Sequence, residues 1–265
     1  MLPSWLQTRP RRKRSTQPFV VVDIAETRPP TGPIVDHLCQ LVRSCVTTPN
    51  LLQEAADSLG WEAAHRMLVT TKLPRLKRLR RGDFGEAFAI GLLEEIDGYQ
   101  IPVRKLYFKV TGSQSMPSTD ALALKTNAAG RVAEVCFVES KLRSGTDRDA
   151  AVHAAEQLAK DYAQRYPDLL RFVLERLSDL SSDLFKPFLE YTADREHGDS
   201  RDTFCVALHW EASKWEEVTL SNLQEYGPPL SPLTVRVVRI ENLVDLVNKV
   251  FSQLGAPPAD DDDEF

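Results

Sequence analysis

The chain of 265 residues has few cysteines, few histidines and no long apolar run. Its four cysteines form no Cys-x-x-Cys pair, which argues against a zinc ribbon, and their scarcity favours a reducing, cytoplasmic compartment. Its five histidines never take the His-Glu-x-x-His spacing of metalloproteases. No apolar stretch approaches the roughly 20 residues that span a bilayer. We therefore expect a cytoplasmic globular protein without a membrane segment.

Charge is concentrated at the two ends, although the formal net charge is only −5. Residues 1–17 are basic and lack the apolar segment of a secretory signal, so we expect a flexible basic arm. Residues 257–265 contain an acidic run and are expected to form a disordered tail. The acidic balance does not exclude nucleic-acid binding, because a local basic groove can act inside an acidic chain.

Hydrophobic patterning predicts an α/β protein. We expect an N-terminal strand and helical region over 18–80 and a core over 81–256. One long helix after residue 147 should stop before Pro167, because proline disfavours helical geometry in the residue before it. The other predicted helices cover 34–46, 50–59, 61–69, 87–95, 169–180 and 242–254. The predicted strands cover 18–26, 103–110, 120–125, 132–141, 203–210 and 233–240.

The segment from Asp120 to Lys141 contains the candidate chemistry. Residues two apart in a strand share a face, so Glu139 and Lys141 point the same way where their strand ends. A four-residue turn would place Asp120 opposite Phe137, and a two-residue turn would place it opposite Glu139. Both registers put Asp120 on the face of Glu139 and Lys141, within about 4.5–8 Å.

Two carboxylates at that separation repel each other unless a cation lies between them. Mg²⁺ or Mn²⁺ suits this position, because such ions take oxygen ligands from one or two carboxylates. A cation held by Asp120 and Glu139 would neutralise a phosphodiester and lower the pKa of a bound water. Lys141 could orient that water or stabilise the developing charge. The pattern therefore predicts metal-dependent phosphodiester hydrolysis.

These residues resemble the PD-(D/E)xK nuclease superfamily, with Asp120 as the first acid and Glu139-Ser140-Lys141 as the (D/E)xK element. The resemblance implies a restriction-endonuclease-like mixed sheet flanked by helices, with residues 18–80 as an N-terminal addition. It also implies an acid on the preceding helix, Glu86, as a third metal ligand. A glutamine on the following helix, Gln157, would support the site.

The run Arg81-Gly-Asp-Phe-Gly-Glu86, followed by these elements, is similar to the HamA family of nuclease subunits in the Hachiman antiphage defence system. That resemblance implies a magnesium-dependent deoxyribonuclease that acts on DNA. It further implies that a helicase subunit, HamB, forms a complex with the nuclease and restrains it.

Several alternatives remain open from the residues. The basic run over 72–81 is either a solvated linker or a contact with DNA or a partner. Glu139 and Lys141 could form a simple surface ion pair, and Glu86 could stabilise its helix dipole. The whole chain could be a catalytically inactive nucleic-acid or partner-binding module, or a restriction or repair nuclease. The candidate nucleic-acid-binding residues are Arg143, Lys77, Arg78, Arg80 and Arg81.

Overall fold

The computed structural model describes residues 1–10, 18–109, 111–112, 119–180, 182–196 and 201–260. Residues 11–17 of the expected basic arm lie outside the described residues, as do 261–265 of the expected acidic tail. Residue 110 of the predicted strand and most of the loop before Asp120 are likewise outside them.

The described residues form one six-stranded mixed sheet with helices on both faces. The strand order is β1-β2-β6-β5-β4-β3. The four inner strands are parallel to one another, and β1 and β3 are antiparallel at the two edges. The strands are β1 Leu6–Pro10, β2 Phe19–Glu26, β3 Ala121–Thr126, β4 Val132–Arg143, β5 Asp202–Glu211 and β6 Leu233–Ile240.

The helices divide between the two faces of the sheet. α2, α5 and α9 cover one face, and α6, α7 and α8 cover the other. The helices are α1 Leu2–Trp5, α2 Gly32–Val46, α3 Pro49–Leu59, α4 Trp61–Leu68, α5 Lys77–Glu95, α6 Ala150–Asp179, α7 Phe185–Glu196, α8 Val218–Tyr226 and α9 Leu243–Gln253. The expected α/β class is confirmed, while the restriction-endonuclease-like topology stays a prediction.

Burial on both faces explains the apolar composition of the inner strands. On β4, Cys136 and Val138 enter the core beneath α5, while Val135 and Phe137 enter the core beneath α6. Each fully buried large side chain contributes about 1.5–3 kcal/mol. The polar run 139–141 lies at the carboxyl end of β4, which is the edge where ligands bind in open α/β sheets.

The expectation of a free arm is wrong for residues 2–10. Leu2 and Trp5 are fully buried, and β1 pairs with β2 along its length. The apolar contacts of α1 with α5 tie this segment to the fold despite its basic neighbours. β2 in turn pairs with β6, so elements before residue 80 belong to the same sheet as those after it.

Two predicted elements are wrong. α6 does not stop before Pro167, because Val173 and Leu177 beyond it are buried in the core and outweigh the roughly 3 kcal/mol that proline costs a helix. The segment predicted as a strand over 103–110 instead contains a 3-10 turn, Lys105–Phe108. Its buried Val103 and Leu106 are three residues apart, a helical rather than an extended spacing.

The helix α5 begins ten residues earlier than predicted, at Lys77. Of the basic run over 72–81, Lys77, Arg78, Arg80 and Arg81 therefore lie in the first turns of α5. Within the described ranges, no helix combines the length and hydropathy needed to cross a membrane.

Candidate active site

The β3–β4 hairpin has the second of the two predicted registers. Ala121 pairs with Val138, which places Asp120, one residue earlier, opposite Glu139. A register shift between Lys125 and Thr126 absorbs the extra residues of the turn. The two carboxylates therefore lie on one face of the sheet, as the residue alternation predicts.

Asp120 is held in place by two donors. The backbone nitrogen of Ser140 donates to Asp120 Oδ2 at 2.8 Å, and Lys105 Nζ donates to Asp120 Oδ1 at 2.8 Å. The first contact fixes the carboxylate against β4, and the second connects it to the 3-10 turn. Asp120 thus makes contacts beyond those of a simple loop cap.

Glu139 is almost completely buried and pairs with Lys141 at 2.7 Å. Burial, followed by repulsion from Asp120, raises the pKa of Glu139 to about 7. A surface ion pair would not be buried in this way, so the simple surface reading of Glu139 and Lys141 does not fit. A buried carboxylate whose pKa lies near neutrality is typical of functional sites.

Close packing of α5 on β4 brings Glu86 to the same place. A Cβ atom on Gly85 would lie 3.2 Å from Ser140 Oγ and 3.3 Å from Leu142 Cβ, so glycine permits this approach. Glu86 Oε2 lies 3.6 Å from Lys105 Nζ. Glu86, the helix residue that the resemblance implies, is therefore connected to Asp120 through Lys105.

Glu86 is buried close to two other acidic residues, Asp120 and Asp83. Burial, together with the negative charges of Asp120 and Asp83, raises the pKa of Glu86 well above its usual range. Its Oε1 atom is buried and accepts no hydrogen bond from any described residue. A helix-dipole role does not require such burial, because a dipole partner can stay hydrated.

Lys105, Lys109 and Asp83 line the same cleft as Asp120 and Glu139, and the sequence did not point to them. Lys109 Nζ contacts both carboxylate oxygens of Asp83, at 2.9 and 2.7 Å, and the lysine is 3% exposed. Burial raises the pKa of Asp83 to about 6 although Lys109 opposes the shift. Burial alone would lower the pKa of Lys105, but Asp120 and Glu86 raise it above its ordinary value. The sequence signal that could have identified them is the pair of lysines four residues apart, Lys105 and Lys109, in an otherwise apolar segment.

A cleft of about 650 Å³ opens over these groups. Arg78, Arg81 and Arg143 line it, whereas exposed Lys77 does not. Arg81 Nη1 donates to Ser144 Oγ at 3.1 Å, and Arg143 pairs with Asp147 at 2.6 Å. The cleft therefore places cationic side chains around a centre of buried carboxylates.

The structure does not support phosphate contact by Arg80. This side chain is 5% exposed, and its Nε donates to the carbonyl oxygen of Pro74 at 2.8 Å. It also donates to Pro257 O and lies over the Phe251 ring. Arg80 points inward and links the start of α5 to the chain after α9. Its neighbours Arg78 and Arg81 line the cleft instead.

Gln157 is not brought to the cleft. It lies on α6, where its side-chain nitrogen donates to Asp161 Oδ2 at 3.0 Å. It is not among the residues that line the site. A supporting role for Gln157 stays a prediction.

The acids fit a divalent cation, although no group of three or more acidic, histidine or cysteine side chains is arranged as a metal cluster within the described part of the chain. Mg²⁺ needs only one or two protein carboxylates besides water and phosphate. The Lys105 ammonium already lies between Asp120 and Glu86 as a cation would. The unpartnered Glu86 Oε1 adds a ligand oxygen of the type that such ions prefer.

Comparison with known proteins gives two matches. A family model described as HamA matches residues 9–254 of the chain. The Hachiman protein HamA of Bacillus cereus is 33% identical over 110 residues. That segment covers 42% of this chain and 38% of the relative, so the match spans well under two thirds of the relative's length.

Proposed function

Because the chain belongs to the HamA family, we propose that it is a metal-dependent nuclease of the Hachiman antiphage defence system. Its substrate is DNA, and its site is of the PD-(D/E)xK type. The observation that carries the proposal is the position of Asp120 opposite Glu139, with Lys141 Nζ 2.7 Å from Glu139, at the carboxyl end of β4.

Asp120, Glu139 and Glu86 would hold Mg²⁺ or Mn²⁺. When bound, such a cation neutralises phosphate charge and acidifies a coordinated water. Ser140 N keeps Asp120 oriented through its hydrogen bond. Lys141 supplies a compact positive charge next to Glu139, where it can stabilise charge that develops on the phosphate oxygens.

The basic rim would position the nucleic-acid backbone. Arg78, Arg81 and Arg143 line the cleft and are suited to bind phosphates on either side of the cleaved bond. Contacts of this kind fix the strand without reading its sequence. They support a nuclease with little base specificity.

The proposal includes a helicase partner that restrains cleavage. A nuclease in the cell that encodes it needs restraint, and the relative is a component of the Hachiman system by name. Equal cleavage of undamaged DNA by this chain alone and by its complex with the neighbouring-gene helicase would contradict this part.

The decisive experiment measures plasmid degradation by near-isosteric variants. Glu139→Gln and Lys141→Met should abolish cleavage in Mg²⁺ while the circular dichroism spectrum is preserved. Glu156→Gln and Lys160→Met are matched controls, because both side chains are exposed on α6. They should cleave at the rate of the unchanged protein.

Metal titration separates the nuclease from a binding module. Chelation with EDTA should stop cleavage, and added Mg²⁺ or Mn²⁺ should restore it. Retained cleavage by both site variants would refute the catalytic assignment. DNA binding that needs no divalent cation, together with no cleavage under any condition, would favour the inactive module.

A further inference from the structure

A second cleft lies next to the candidate active site, between β3 and α6. Its volume is about 370 Å³, within the range of pockets that bind small molecules. Among the described residues, the apolar side chains that line it are Val103, Ala121, Leu122, Leu169, Phe172 and Val173.

The two clefts share Lys105 and Asp120. A ligand in the apolar cleft is therefore in direct reach of the groups that would act on phosphate. A nucleotide has this composition, because a flat base with apolar faces is joined through a sugar to an anionic phosphate.

The cleft also offers the contacts that a base needs. The Phe172 ring packs edge-on against Phe108, with centroids 5.3 Å apart, and the Arg176 guanidinium lies over both rings. These contacts hold Phe172 at the wall of the cleft, where an aromatic ring can stack with a base. Arg165 pairs with Asp161 at 3.7 Å, and Asp168 accepts from Arg171 through Oδ1. The remaining polar atoms of Arg165 and Asp168, at the α6 side of the cleft, are a donor and an acceptor for a base edge.

We propose, on the basis of the proposed nuclease function, that this cleft receives one unpaired nucleobase of the strand whose phosphate lies over Asp120 and Glu139. A base inside a duplex is stacked and paired, and it can enter such a cleft only after leaving the helix. The substrate class is thus single-stranded DNA, a frayed end, or a duplex from which one base is displaced.

The test compares two oligonucleotides that carry equal charge. One is a short fluorescent single strand, and the other has the same length with abasic sugars at its central positions. Binding to the unchanged full chain is measured by anisotropy in EDTA, which prevents metal-dependent cleavage. We expect the intact strand to bind about tenfold more tightly, the effect of stacking one base.

Two variants assign that preference to the cleft. Phe172→Ala removes the aromatic face, and Leu169→Trp fills the space, so both should reduce the preference for the intact strand to about one. Tyr226→Ala is the matched control, since this exposed aromatic residue lies at the end of α8. It should keep the tenfold preference.

Equal binding of the two strands by the unchanged protein would overturn the proposal, as would a preference that survives in both cleft variants. Duplex DNA that competes as well as single strands would also overturn it. If the cleft instead docks an apolar partner segment, the variants would weaken partner binding and leave the two strands equal. A cleft-dependent preference without any cleavage in Mg²⁺ would refute only the nuclease function, so the two failures are distinguishable.

Discussion

Lys105 Nζ lies 2.8 Å from Asp120 Oδ1 and 3.6 Å from Glu86 Oε2, so one ammonium group contacts both carboxylates. The lysine comes from a 3-10 turn and the aspartate from the residue before β3, fifteen positions later. This ion pair offsets the repulsion between carboxylates that the fold gathers. A divalent cation held by these carboxylates, as we propose, would have to compete with the Lys105 ammonium for the same oxygens.

Removal of the Lys105 charge should create a stronger metal site. Lys105→Met leaves Asp120 and Glu86 without their shared cation and should destabilise the fold by about 3 kcal/mol, the usual effect of breaking a buried pair. Mn²⁺ should then raise the melting temperature of this variant markedly, because a ligand bound only by the native state stabilises it. Differential scanning calorimetry with and without Mn²⁺ measures both effects.

Lys109→Met is the control for that experiment. Lys109 is a buried lysine paired with Asp83, so its loss should cost a similar amount of stability. Mn²⁺ should not compensate for it, because the variant keeps Lys105 between the other acids. Identical responses of the two variants to Mn²⁺ would contradict the proposed cation position.

Arg81 and Arg80 are adjacent in sequence but should behave in opposite ways. Arg81→Ala should weaken DNA binding and reduce the slope of log affinity against log salt by about 1, as expected when one phosphate contact is lost. Arg80→Ala should instead lower the unfolding midpoint in urea, because it removes bonds to Pro74 O and Pro257 O. An unchanged salt slope in Arg81→Ala would remove this residue from the interface.

Two glycines of α5 should respond differently to alanine. Gly82→Ala should raise the free energy of unfolding by about 0.5–1 kcal/mol, because nothing lies within 4 Å of the added Cβ. Gly85→Ala should lower it by about 1 kcal/mol, because Leu142 Cβ on the rigid strand would be 3.3 Å away. Relief of this contact moves α5 by a few tenths of an ångström and displaces Glu86, so cleavage should fall severalfold.

Urea titration and plasmid assays on these two variants separate packing from chemistry. A Gly85→Ala protein that is as stable and as active as the unchanged protein would show that α5 does not need this close approach.

His209 should make the fold sensitive to acid. Its ring is fully buried beside Phe88, and burial lowers the pKa of His209 to about 3. The unfolded chain therefore binds a proton below pH 6.5 that the native chain does not. The contribution of His209 to stability should fall by about 1.4 kcal/mol per pH unit as the pH drops from 6.5 toward 3, against an opposite contribution from the raised carboxyl pKa values of Glu139 and Asp83.

Replacement of His209 by phenylalanine should remove this part of the slope. Urea unfolding at pH 7.0 and 5.5 measures the difference, and His153→Gln, at an exposed position of α6, controls for the loss of a histidine. Parallel pH profiles for His209→Phe and the unchanged protein would contradict a buried neutral ring.

The sequence alone determined the face shared by Asp120, Glu139 and Lys141, because side chains alternate along strands and both possible turns keep the same parity. It also indicated most of the helices and strands, whose apolar periodicity is local. Only the tertiary structure decided that residues 2–10 join the sheet, that Arg80 is buried while Arg81 reaches the cleft, and that Lys105 meets Asp120 and Glu86. Those outcomes depend on which elements pack together, and contacts between residues distant in sequence leave no local pattern in the chain.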